Sequence, residues 1–94
     1  MNYVYILFSK VLNQFYVGET VDIEDRIVQH NSGFYDSAYT KKASDWTLYH
    51  IIECSNREQA RRIETHIKKM KSKTYIQNLK KYSEINDRLK TKYS

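Results

Sequence analysis

Arg26 and His30 stand four residues apart, so on a helix they share one face and set a permanent cation beside an imidazole that titrates near neutral pH. Tyr5 and Tyr16 fall in two short runs of β-branched and aromatic residues joined by a brief connection, and on paired strands that connection sets them side by side. Glu64 follows the apolar Ile63 and comes one turn after Ala60, which puts it at the border of an apolar helical stripe. A carboxylate at such a border either pairs with a neighbouring lysine or turns into a cleft as a ligand for a hard cation. Each signal is weak alone, because a chain with 9 Tyr places several near one another by chance. His50 and His66 lack partners at metal-site spacing and read as structural, and Cys54 reads as a small hydrophobe at a strand end rather than a nucleophile.

The elements that must carry these residues are legible from pattern. Tyr3 to Phe8 (YVYILF) and Phe15 to Thr20 (FYVGET) read as strands of an antiparallel hairpin with Asn13 as the turn former. Gly18 interrupts the second strand, as a glycine does at a bulge or where another group approaches the backbone closely. Asp22 caps a helix bearing Ile23, Arg26, Ile27 and His30, and Asn31-Ser32-Gly33 stops it. Phe34 to Asp45 has no clear period and reads as a long loop, in which Tyr39, Thr40, Lys41 and Lys42 offer contacts to a substrate. Trp46 to Cys54 is a third strand, whose imperfect alternation suits the centre of a sheet covered by helices.

Ser55-Asn56-Arg57-Glu58 is expected to form a capping box that opens a helix with Ala60, Ile63, Ile67 and Met70 on its buried stripe. Tyr75, Ile76, Leu79 and Tyr82 outline another short helix packed onto the core, and residues 83–94 read as a polar tail of the same domain. The fold class expected from this order is α+β, a small three-stranded antiparallel sheet flanked by helices.

Ninety-four residues hold one small domain, with the functional unit over 1–82 and the extension over 83–94. The single cysteine forms no internal disulfide, the N-terminus lacks the features of a secretion signal, and no apolar run is long enough for a membrane span. A cytoplasmic protein without membrane association is expected, with monomer or homodimer left open. The net charge of +5 is unevenly placed: residues 1–56 carry four basic against seven acidic side chains, and residues 57–94 carry twelve against four. This second part is cationic, with Arg61, Lys68 and Lys71 off the apolar stripe, and suits the phosphate backbone of a nucleic acid.

Taken in order, Tyr3-Val4-Tyr5, Tyr16-Val17-Gly18, Arg26, His30 and Glu64 resemble the GIY-YIG nuclease superfamily, in particular its short stand-alone bacterial proteins related to the N-terminal nuclease module of the DNA-repair excinuclease. The resemblance covers about Tyr3 to Tyr82, and its strength lies in the order and spacing of five short elements. Two positions depart from it: Tyr3 replaces the first glycine of the family motif, and Glu19 stands where some relatives carry a lysine. The resemblance implies hydrolysis of phosphodiester bonds in DNA dependent on a single Mg²⁺ or Mn²⁺, in structure-directed cleavage linked to repair or recombination. It also implies that Tyr5 and Tyr16 handle the attacking water, one as general base, that Arg26 holds the phosphate, and that His30 accepts or relays the tyrosine proton. Glu64 is then the metal ligand, and Asn78 falls where related domains close the site with a polar residue. Two other readings stay open: a nucleic-acid-binding module that keeps the fold without cleaving, and a protein-interaction domain whose basic helices meet an acidic partner.

Overall fold

A computed structural model of the chain describes residues 1–32 and 43–94, so most of the long loop, including Tyr39, Thr40, Lys41 and Lys42, lies outside the described residues. The element order is β1 (Asn2–Ser9), β2 (Gln14–Thr20), α1 (Ile23–Ser32), β3 (Thr47–Cys54), α2 (Arg57–Met70), α3 (Lys73–Lys81) and α4 (Ser83–Lys92). The strands form an antiparallel sheet in the order β2-β1-β3, which is the α+β arrangement expected.

β1 is the central strand, and this explains its unbroken apolar run. Val4 and Ile6 enter a core with Ala60, Ile63 and Ile67 of α2 and Ile76 and Leu79 of α3, whereas Tyr5 and Leu7 turn to the other face, against Trp46 and the half-buried Ile23 and Ile27 of α1. With both faces covered, alternation of polar and apolar residues has no physical basis there. The expectation that the third strand is central is corrected: β3 is an edge strand. Its irregular pattern comes from a register shift opposite Ile6/Leu7 and from Leu48 and Ile51, both left 40% exposed.

The hairpin turns at Asn13, whose φ of 52° lies in the left-handed region that asparagine tolerates. Asp45 ties that turn to the start of β3 by accepting bonds from Ser9 Oγ at 2.7 Å and Val11 N at 3.0 Å. Asp22 caps α1 as expected, accepting from Asp25 N at 3.0 Å. The cap of α2 is one residue later than the sequence suggests: Asn56 Oδ1 accepts from Gln59 N at 2.8 Å, and Gln59 Oε1 accepts from Ser55 N at 2.7 Å. Glu58 is thereby released to pair with Arg62 at 2.6 Å on the outer surface.

Two core assignments also need correction. Met70 is 45% exposed, in the last turn of α2 where the chain turns at Lys71 into a left-handed cap; Tyr82, between α3 and α4, is 43% exposed. The last twelve residues are an ordered part of the core packing. Leu89 is buried, Gln59 Nε2 donates to Lys90 O at 3.0 Å, and Asn86 Nδ2 donates to Leu79 O at 2.8 Å. His50 Nε2 lies 2.9 Å from Asn86 Oδ1, and His66 Nδ1 lies 2.9 Å from Tyr93 Oη. Burial pushes the Cys54 thiol above its ordinary pKa, which suits a packing role.

Candidate active site

Antiparallel pairing sets Tyr5 opposite Gly18 and Leu7 opposite Tyr16, so both tyrosines lie on the α1 side of the sheet. Their ring centroids are 6.3 Å apart. The helical rise from Arg26 to His30 is one turn, and the capped start of α1 aims His30 down onto the sheet, where it is 2% exposed. His30 Nε2 lies 2.9 Å from Tyr5 Oη, and its ring centroid is 4.7 Å from that of Tyr16. Trp46 closes the same cluster, 6.4 Å from the Tyr16 ring at a steep tilt.

The cluster requires a glycine at position 18. A Cβ there would stand 2.5 Å from Tyr5 Oη and 2.6 Å from Tyr5 Cζ, and the β1–β2 register runs unshifted through Gly18, so the interruption read in the sequence marks close approach of a phenol rather than a bulge. Burial, and then the field of the Arg26 guanidinium, hold the His30 pKa down to about 4. At pH 7 the imidazole is therefore neutral, and whether Nε2 accepts the Tyr5 proton or donates to its oxygen depends on which ring nitrogen carries hydrogen.

Tyr5 is buried at 1% exposure, whereas Tyr16 is half-buried and reaches the surface. Phe15, Tyr16, Ile67, Lys68, Lys71 and Ile76 line a groove of about 540 Å³ where β2 meets α2 and the start of α3. Lys68 joins this groove to Glu64: its ammonium is 3.4 Å from Glu64 Oε2 and 5.8 Å from the Tyr16 ring centroid. The Glu64 side chain is 19% exposed. No group of three or more His, Cys, Asp or Glu side chains able to cage a metal ion occurs among the described residues. One accessible carboxylate nevertheless fits an ion that retains most of its water, as Mg²⁺ does.

The structure thus brings together Tyr5, Tyr16 and His30, with Arg26 one turn before His30 and acting on it by its charge, and Glu64 joined to Tyr16 through Lys68. Lys68 and Lys71 line the groove beside Tyr16, and Arg61 lies two turns before Lys68 on the same helix. Asn78 is on α3 between the buried Ile76 and Leu79 and is half-buried. Glu19, the departure from the family pattern, accepts an ion pair from Arg57 at 3.6 Å. Sequence reasoning missed the clamp that holds the far side of the site. Asn31 Nδ2 donates to Trp46 O at 2.9 Å, and Trp46 N donates to Asn31 Oδ1 at 2.7 Å. No local signal reveals this pair, since its members are fifteen residues apart.

Residues 1–82 match the family model described as the GIY-YIG catalytic domain, and the chain belongs to that family of nucleases. It is similar to the UPF0213 protein of Syntrophus aciditrophicus (strain SB), with 39% identity over 85 residues covering 88% of this chain and 94% of the relative. No solved structure matches the chain. No helix among the described residues is long and apolar enough to cross a membrane.

Proposed function

We propose that this protein is a divalent-metal-dependent endonuclease that hydrolyses phosphodiester bonds in DNA, directed by the shape of its substrate and serving repair or recombination. The observation that carries this reading is the convergence of Tyr5, Tyr16 and His30, with Arg26 one turn away, on one face of the sheet. Tyr16, at the groove surface, orients the attacking water. Tyr5, with its hydroxyl buried against His30, positions Tyr16 and exchanges a proton with the neutral imidazole. Arg26 binds the phosphate and stabilises the negative charge that grows on it in the transition state. Glu64 would hold one Mg²⁺ or Mn²⁺, which supplies charge neutralisation at the phosphate oxygens when bound. Lys68 must release Glu64 for this, and it is then free to contact the substrate backbone. Lys71 and Arg61 extend that contact along α2 by charge, without reading bases.

The test is cleavage of labelled single-stranded, duplex, nicked and branched DNAs with Mg²⁺, Mn²⁺ or EDTA, comparing the parent with Glu64→Ala and Tyr16→Phe. Metal-dependent cleavage that vanishes in Glu64→Ala and slows roughly 10²–10⁴-fold in Tyr16→Phe is expected. Salt-sensitive binding that is equal in all three proteins, with no cleavage of any substrate, would replace this reading with that of a non-cleaving binding module.

A further inference from the structure

Of the ten residues of α1, His30 is buried, and Ile23 and Ile27 are half-buried against Tyr5, Leu7 and Trp46. The apolar part of this contact is two isoleucines, and apolar burial has no preferred direction, so it sets the roll of the helix on the sheet only weakly. A directional tie stands one residue past His30. Asn31 Nδ2 donates to Trp46 O at 2.9 Å, and Asn31 Oδ1 accepts from Trp46 N at 2.7 Å, so one planar amide closes on both backbone groups of a single residue. Two bonds side by side fix an orientation as well as a distance. The amide is not there to end the helix, since α1 runs through Asn31 to Ser32.

Trp46 is a firm anchor for this tie. It is 1% exposed, its ring stands 6.4 Å from that of Tyr16, and Asp45 before it accepts from Ser9 Oγ and Val11 N at the hairpin. Asn31 therefore joins the end of α1 to the strands that carry Tyr5 and Tyr16. Successive residues leave a helix about 100° apart, so His30 points down onto the sheet while Asn31 reaches sideways to the residue before β3. A roll of α1 that moved His30 Nε2 from its 2.9 Å contact with Tyr5 Oη would have to break both Asn31 bonds.

We infer that Asn31 is a positioning residue of this site: its paired bonds to Trp46 fix the roll of α1 and so hold the His30 imidazole in register with Tyr5 and Tyr16. The inference rests on the nuclease reading for its catalytic consequence and on the bond geometry alone for its structural one. Misplacing reacting groups by about 1 Å costs about 10²-fold in rate. It also lets water reach His30, whose titratable and charged neighbours are Tyr5 of β1, Tyr16 of β2 and Arg26 of its own helix. The burial that holds the imidazole pKa down is then relieved, and the pKa rises.

NMR of the His30 ring between about pH 5 and pH 8, without metal or DNA, reads the geometry. The proteins compared are the parent, Asn31→Ala, the milder Asn31→Ser, whose hydroxyl is too short to span both Trp46 groups, and the control Asn86→Ala. The control makes the same change on α4 at a half-buried asparagine that also uses both arms of its amide, donating to Leu79 O at 2.8 Å and lying 2.9 Å from His50 Nε2. Alanine is a better helix former than asparagine, so α1 itself persists, and circular dichroism checks each fold. The parent's His30 signals are expected to stay nearly flat over this range, as are the control's. In Asn31→Ala they should titrate, with the pKa raised by at least about one unit, and in Asn31→Ser they should move the same way. Cleavage with Mg²⁺ or Mn²⁺ should show kcat lowered about 10²-fold in Asn31→Ala with KM within about threefold of the parent, and kcat in the control within about threefold. His30 signals as flat in both Asn31 variants as in the parent overturn the inference, as does a kcat lowered no further than in the control. A parent that cleaves no DNA overturns the nuclease reading, and the His30 titration then decides by itself whether Asn31 sets the geometry of the cluster.

Discussion

Gly18→Ala offers a quantitative test of the site's packing. In an ordinary strand, replacing glycine by alanine is stabilising by roughly 0.5–1 kcal/mol, because glycine loses more backbone freedom on folding. At this position the new Cβ would stand 2.5 Å from Tyr5 Oη, 2.6 Å from Cζ and 2.8 Å from Cε1. Comfortable carbon contacts lie near 3.5–4.0 Å, so the Tyr5 ring must shift by about 1 Å. It has little room to do so, being 1% exposed and bonded to His30 at 2.9 Å. Overpacking of this kind costs about 1–3 kcal/mol, and loss of the Tyr5–His30 bond adds about 0.5–1.5 kcal/mol. Set against the backbone gain, the net loss is about 0.5–4 kcal/mol, with a central value of about 2 kcal/mol. For a domain this size the central value appears as a fall in Tm of roughly 8–16 °C. Urea titration should show a lower midpoint with an unchanged m-value. Tyr5→Phe removes the closest atom, so the two substitutions should be less than additive in a double-mutant cycle. A Gly18→Ala protein as stable as the parent, or more so, would refute the reasoning that Tyr5 crosses the β2 backbone here.

Three further outcomes follow from the same geometry. His30 should titrate near pH 4 by NMR. Because the unfolded imidazole binds its proton near pH 6.5, the stability tied to His30 is complete above that value and is lost as pH falls toward 4. It amounts to at most about 3 kcal/mol, and unfolding curves of His30→Asn should lack that part of the pH dependence. Asn56→Ala should cost about 1 kcal/mol in chemical denaturation through loss of the α2 cap, whereas Ser55→Ala should be near neutral; the reverse ranking would restore the cap to Ser55. Leu89→Ala should cost about 2–5 kcal/mol by thermal unfolding, and a chain ending at residue 82 should be destabilised further; a truncated chain with the parent's Tm would mean that α4 is dispensable.

Much of the site was legible because its parts are local. The i, i+4 step from Arg26 to His30 defines a common face wherever the helix lies, and Asp22 marks the start of that helix. The short hairpin connection makes Tyr5 and Tyr16 neighbours before any tertiary contact is considered. Gly18 left open a bulge or a close approach, and only the fold decides for the approach and supplies Tyr5 as the group that makes it. The cap of α2 was displaced by one residue because Ser55 and Asn56 both can cap. Gln59 decides between them by bonding Ser55 N on one side and Lys90 O on the other, a contact thirty-one residues away.

Sequence by itself determined the hairpin, the helical faces, the uneven charge and the family pattern, since each depends on residue type at short, fixed spacings. Tertiary structure alone decided that β1 and not β3 occupies the centre of the sheet, that Asn31 clamps Trp46, and that α4 joins the core. It also decided that Tyr5 is sealed behind Tyr16. These outcomes depend on which faces compete for the same buried area, and that competition is settled between segments far apart in the chain, where periodicity carries no information.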